Sequence, residues 1–255
     1  MDDTGTRNAF QLLTECVDLL ELAASSFSGM IKPPVYVARP DEHFEYENPD
    51  EKTFAILRCV RIASDFRAVM ILLEHGHVQQ VGVLMRGIVE FNMDLDVVIG
   101  PYLVPETKND VDQRIAEYFS EPSWNFRRIL EDPKKRATTP RRKTYALIAK
   151  VLGESVEPAN PYQVRQTVKA LEEGYSGYVH GAYEHIMELY DPYDRRFAIR
   201  GIPERIWEWM GYIALNLHQS LNCFAAIASF FGLKDLSKTI FEKRRELEVS
   251  RAYTE

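Results

Sequence analysis

The stretch VQQVGVLMRGIVEFNMDLDVVI, running from Val78 to Ile99, decides the fold. Its residues Val81, Leu84, Ile88, Phe91 and Leu95 recur at spacings of three and four, the period of an α-helix. On a wheel of about 100° per residue, Arg86 and Glu90 fall on the opposite side, flanked by Val83, Val89, Met93 and Val97. A helix apolar on nearly every side is packed on every side, so Arg86 and Glu90 are predicted to be sequestered, and an unpartnered charge there would cost several kcal/mol. Arg before Glu is the weaker order for an i,i+4 pair, which points to partners on other helices.

The same period extends outward in both directions. Phe10, Leu13, Val17, Leu20, Ala24 and Phe27 form one stripe, and Ala55, Cys59, Ile62, Phe66, Val69 and Leu73 form another. A fourth runs through Ile206, Met210, Ile213, Leu217, Leu221, Phe224, Ala228 and Phe231. The expected fold class is therefore all-α, a multi-helix bundle with long antiparallel helices. Shorter helices are predicted over 111–130, 144–152 and 164–175, with a charged last helix over 236–249. Asn48-Pro49-Asp50-Glu51 reads as a helix start with Asn48 as cap and Pro49 in the first helical position, and Asn160-Pro161 repeats the device. Gly76, Gly100-Pro101 and Gly232 read as stops. Only Phe197-Ala198-Ile199 hints at a strand.

A single helical domain over 1–255 is expected, with an N-terminal helix over 1–28, a loop over 29–47 containing Pro33, Pro34 and Pro40, and a helical core over 48–255. A net charge of -7 excludes coating of nucleic acid by bulk positive charge. Cys16, Cys59 and Cys223 are odd in number and lack metal-ligand spacing, which predicts reduced thiols and a cytoplasmic location. The acidic start Met1-Asp2-Asp3-Thr4-Gly5 is not that of a signal peptide. Trp209 to Leu233 holds no Asp, Glu, Lys or Arg and is long enough to span a bilayer. Its centre, Asn216-Leu217-His218-Gln219-Ser220-Leu221-Asn222, is too polar for that role, so a buried helix and no membrane association are expected.

Chemistry-bearing candidates are few. Three glycines, Gly174, Gly177 and Gly181, each cost a helix interior about 1 kcal/mol relative to alanine, so tertiary contacts must hold the segment that contains them. Gly177 and Gly181 would admit a neighbouring backbone, bringing His180 toward the helix of Arg86 and Glu90. His180 is then the general acid/base candidate, with Arg86 and Glu90 as its catalytic companions. Ser176, Tyr178 and Tyr183 are the substrate-contacting candidates. Lys134, Lys135, Arg136, Arg141, Arg142 and Lys143 form a basic loop that is either a solvated turn or a contact for RNA or DNA phosphates. The acidic Asp41-Glu42-His43-Phe44-Glu45 lacks anything to fix ligand geometry. Glu74-His75-Gly76-His77 holds one Glu-x-x-His where a di-iron site needs two. No metal and no cofactor are expected.

Leu84-Met85-Arg86 with Glu90, together with the later Ser176-Gly177-Tyr178-Val179-His180, resembles an uncharacterised family of bacterial all-helical domains over about residues 50–230. In that family an Arg-x-x-x-Glu helix accompanies a distant Ser-x-x-x-His. More distantly, Val179-His180-Gly181 resembles the end of the motif of HEPN domains, all-α and usually dimeric proteins that include metal-independent ribonucleases of toxin and antiviral systems. Where their motif has arginine this chain has Glu173, Gly174 and Tyr175, so the resemblance carries over to His180 alone.

Two functional readings follow. One is a non-catalytic regulatory module, homo-oligomeric or binding a protein partner or small ligand, with a buried Arg86, Glu90 and His180 cluster. Its self-association is motivated by the apolar stripe of the first helix and the uncharged helix over 209–233. The other is a HEPN-like ribonuclease in which His180 moves the proton and Arg86 stabilises phosphate charge.

Overall fold

The computed structural model describes residues 3–38, 43–120, 146, 147, 150 and 161–250. Eight helices account for most of them. In chain order they are α1 (Asp3–Ser28), α2 (Glu51–Glu74), α3 (Val78–Leu103), α4 (Lys108–Ser120), α5 (Pro161–His180), α6 (Tyr183–Met187), α7 (Ile206–Phe230) and α8 (Lys234–Val249). Two small antiparallel pairs complete it: β1 (Val35–Val37) with β2 (His43–Glu45), and β3 (Tyr190–Asp191) with β4 (Arg196–Phe197). The all-α reading from the helical periods is what the chain adopts.

The bundle forms because each stripe finds another. Leu13, Cys16, Val17, Leu20 and Phe27 of α1 are fully buried, as are Cys59, Ile62, Phe66, Val69 and Leu73 of α2. They join Val81, Met85, Ile88 and Leu95 of α3 and Ile213, Leu217, Leu221 and Phe224 of α7 in one continuous core. Each such large side chain contributes about 1.5–3 kcal/mol by leaving water. Helix α3 packs against α2, α5 and α7, while α8 lies on α7 and α1. Phe27 seals the α1–α7 seam, its ring 5.9 Å from Phe224 and 5.7 Å from Phe231. The stripe of α1 and the inner face of α7 are thus packed inside the chain, while Leu22 of α1 and Trp207, Tyr212 and Leu215 of α7 remain exposed.

The polar run in α7 is resolved by pairing. Asn92 of α3 donates to Ser220 Oγ at 2.8 Å, and that hydroxyl donates back to Asn92 Oδ1 at 3.0 Å. Asn216 Nδ2 donates to the Tyr175 hydroxyl, and Arg244 of α8 donates to Asn222. Buried polar groups satisfied in this way cost little and fix the register of neighbouring helices. Among the described residues no helix is long and apolar enough to cross a membrane.

Several local expectations need correction. The cap of α2 is Asp50 rather than Asn48: its carboxylate accepts from Thr53 N and Thr53 Oγ1, both at 2.8 Å, and Pro49 lies outside the helix. Gly100-Pro101 does not stop α3, which continues to Leu103. A proline so near the end forfeits its own donor in the last turn, and the Val104 amide still reaches Gly100 O at 2.7 Å. The segment over 29–47 holds the β1–β2 pair, and the strand hint at Phe197 belongs to a two-residue ladder with Tyr190 and Asp191. Helix α5 runs to His180, five residues beyond its expected end. The basic loop at Lys134–Lys143 and nearly all of the predicted helix over 144–152 lie outside the described residues.

At the α2–α3 turn Gly76 has φ +70°, and a β-carbon there would lie 2.3 Å from the Ile202 carbonyl carbon. The Ile202 amide donates to Gly76 O at 2.9 Å, which ties the segment preceding α7 to this turn. That tie sets one edge of the site described next.

Candidate functional site

Arg86 is buried, as its place on an all-apolar helix requires. Arg86 Nη2 meets Glu90 Oε1 at 2.8 Å on its own helix, and the Glu90 side chain keeps 38% of its surface exposed. His180 stands exposed at the carboxyl end of α5. The expected enclosure of an imidazole with a buried Arg–Glu pair is not what the helices build. Ser176 is half-buried, and Tyr183 is 77% exposed at the start of α6.

The most enclosed charge of α3 is Asp94, 4% exposed, which is met by arginines from α2 and α4. Arg58 Nε lies 2.8 Å from Asp94 Oδ2, and Arg114 Nε donates to Asp94 Oδ1 at 3.1 Å. The Arg58 guanidinium carbon sits 4.8 Å from the Phe54 ring centre, 5.1 Å from Phe91 and 4.4 Å from Tyr118. A cation held among three rings and a carboxylate is a packing device that locks α2, α3 and α4 together. Two residues on, Asp96 accepts from Gln219 Nε2 at 3.2 Å and from the Cys223 thiol at 3.5 Å. Burial pushes its carboxyl up to about 7, with both donors pulling the other way.

The concave site lies nearer the amino end of α3, where α5 packs on it. The Tyr178 ring occupies the place a side chain at Gly82 would fill. Its hydroxyl donates to Glu188 at 2.9 Å, and Gln79 Nε2 reaches the same carboxylate at 3.4 Å. Burial and the adjacent Glu188 raise the Tyr178 hydroxyl, keeping its proton on oxygen. Against this ring stand His185, edge-on with centroids 4.0 Å apart, and Trp209 at 5.3 Å. Gly177 makes room for the His185 imidazole, because a β-carbon there would fall 2.3 Å from its Cε1. His185 Nδ1 is buried against this backbone with no hydrogen-bond partner among the described residues.

The opposite wall is the start of α7. Arg205 donates through Nε to Glu208 Oε2 at 2.7 Å and through Nη1 to the Glu188 carbonyl at 2.8 Å. The hydrogen bond to Glu208 raises the Arg205 guanidinium further above its ordinary value. Trp207, Trp209 and Tyr212 complete the enclosure with Tyr175 and Tyr178, around a cleft of about 540 Å³. That volume is within the range that holds a small organic ligand, roughly 300–1,000 Å³.

Of the catalytic and substrate-contacting candidates named from the sequence, Tyr178 alone lines this cleft, with Gly174 of the glycine-broken segment beside it. His185, Glu188, Arg205 and Glu208 were missed. The signal available was the density of Trp and Tyr from 175 to 212 together with Gly82, an unexplained glycine in an otherwise packed helix. Among the described residues no group of three or more His, Cys, Asp or Glu could hold a metal ion. No family model, no curated protein and no solved structure matches this chain.

Proposed function

We propose that this protein is a non-catalytic, regulatory helical module that binds a small ligand in the cleft between α5 and the start of α7. The observation that carries the reading is the convergence of five aromatic side chains, Tyr175, Tyr178, Trp207, Trp209 and Tyr212, around a cavity of about 540 Å³. Ligand sites are concave and largely apolar, with a few placed polar groups, and this is the composition found here. The polar groups are engaged with one another, Tyr178 with Glu188 and Arg205 with Glu208, which suits holding a ligand more than moving its protons. Because the walls come from α5, the segment around Glu188 and α7, a bound ligand would clamp three separate parts of the chain. That clamping is the regulatory output.

The test is a thermal-shift series with small ring-containing compounds on the full chain, repeated on Trp207→Ala and Tyr212→Ala. Both side chains are substantially exposed at the rim, at 44% and 59%, so their loss should leave folding intact. A ligand at a hundred times its Kd adds about 2.7 kcal/mol, which for a domain of this size raises Tm by roughly 5–10 °C. The rise should shrink in both variants. A panel without effect, or one whose effect survives both substitutions, removes the proposal.

A further inference from the structure

Resting on that reading, we infer that the cleft selects an organic cation with an alkylated ammonium head. Three observations converge on this class. The walls are lined by tyrosine and tryptophan rings, a residue type whose negative quadrupole attracts a cation brought within about 6 Å. The cleft carries two carboxylates, Glu188 and Glu208, against one cation, Arg205, leaving an excess of one negative charge. That excess is weighted toward Glu188: Arg205 hydrogen-bonds the Glu208 carboxylate and reaches the Glu188 carboxylate only at longer range, whereas the hydrogen bonds to the Glu188 carboxylate among the described residues come from neutral donors, the Tyr178 hydroxyl and the Gln79 amide.

The same geometry disfavours the alternatives. An anion would have to displace Glu208 from Arg205 and would meet Glu188 at close range. A neutral ring compound would fill the volume but leave the Glu188 charge unanswered. An alkylated ammonium offers no N–H groups that need partners, so the hydroxyl-to-carboxylate bonds already present need not break. Its charge would then sit against Glu188 while its methyl groups lie on the rings.

Titration calorimetry on the full chain with three matched probes tests this: benzyltrimethylammonium, benzyl alcohol and benzoate. The cation should bind several-fold more tightly than the alcohol and at least tenfold more tightly than benzoate. Glu188→Gln should bring benzyltrimethylammonium down to the level of benzyl alcohol while leaving the alcohol unchanged. Should that variant fail to fold, the parent still reports: raising the salt concentration should weaken binding of the cation and leave the alcohol unaffected. Equal binding of cation and alcohol, tighter binding of benzoate, or salt-insensitive binding of the cation overturns the inference while the cleft remains a ligand site. Binding of none of the three overturns both the inference and the ligand-site reading beneath it.

Discussion

Tyr178 rests its ring on Gly82, so closely that a β-carbon at residue 82 would lie 2.4 Å from Tyr178 Cγ. This contact is where α5 is seated on α3, and it explains why a glycine persists inside a helix that has every other reason to exclude one. Gly82→Ala would gain about 1 kcal/mol of helix propensity. It would lose more by forcing the ring root away, since overpacking typically costs about 1–3 kcal/mol. Urea denaturation should therefore show a net loss of stability, and the cleft should bind its ligand more weakly because Tyr178 is displaced. An alanine variant more stable than the parent, with unchanged binding, would contradict the seating.

The buried acid on α3 gives a second comparison. Asp94, whose side chain is 6% exposed, answers two arginines, so Asp94→Asn removes the buried carboxylate that Arg58 and Arg114 share. Breaking a buried pair in this way costs about 3–5 kcal/mol. Arg86→Met is expected to cost less, about 1–2 kcal/mol, because the Glu90 side chain is already 38% exposed to water. Equilibrium unfolding of the two variants should rank them in that order. The reverse order would mean that the Arg86 pair, not the Asp94 network, holds the bundle.

What was legible in the sequence follows from what periodicity can carry. The stripes of α1, α2, α3 and α7 are written every three or four residues, and Leu20, Phe66, Ile88 and Leu217 are buried as their spacing requires. Arg86 was legible as a buried charge for the same reason. The site was not, because its residues come from places where no period operates: Gln79 in the first turn of α3, His185 and Glu188 at α6, Arg205 before α7. Their convergence depends on the backbone bond between Ile202 and Gly76 and on the fit of Tyr178 over Gly82, both contacts between distant segments. Asp94 and Asp96 show the opposite failure. They stand in the same stretch as Arg86, yet a wheel identifies a face and not the arginine or thiol waiting on the next helix.

The thiols report on core integrity. Cys16 and Cys59 are fully buried and Cys223 nearly so, and burial pushes the Cys16 thiol up to about 12 and raises the other two above their ordinary value. Since the thiolate is the reacting species, native protein should resist iodoacetamide, and all three cysteines should label together across the unfolding transition. Mass spectrometry of samples quenched along a urea gradient would show this. Labelling of any one of them in native buffer would mean that its helix is not packed as described.

Asp96 makes stability depend on pH in a direction opposite to the usual carboxylate. Its folded pKa of about 7 lies above the unfolded value of about 3.9, so between those limits the folded state holds more protons than the unfolded one. Stability should then fall as pH rises from about 4 to 7, and the penalty should be complete above that. Part of the residue remains exposed, so the expected penalty is about 1–3 kcal/mol rather than the full value of about 1.4 kcal/mol for each pKa unit. His218 acts with the other sign: burial and Arg244 lower its imidazole against the opposing Glu248, so its contribution is lost as pH falls below about 6.5. Asp65, also raised by burial, adds to the Asp96 trend, which makes the parent curve alone ambiguous. The difference between Asp96→Asn and the parent isolates the effect, because asparagine keeps an acceptor for Gln219 and Cys223 and removes only the titration. That difference should be small near pH 4.5 and grow in favour of the variant toward pH 8, measured by urea denaturation at each pH. A difference that stays constant across the range would show that the Asp96 carboxylate is as well solvated folded as unfolded.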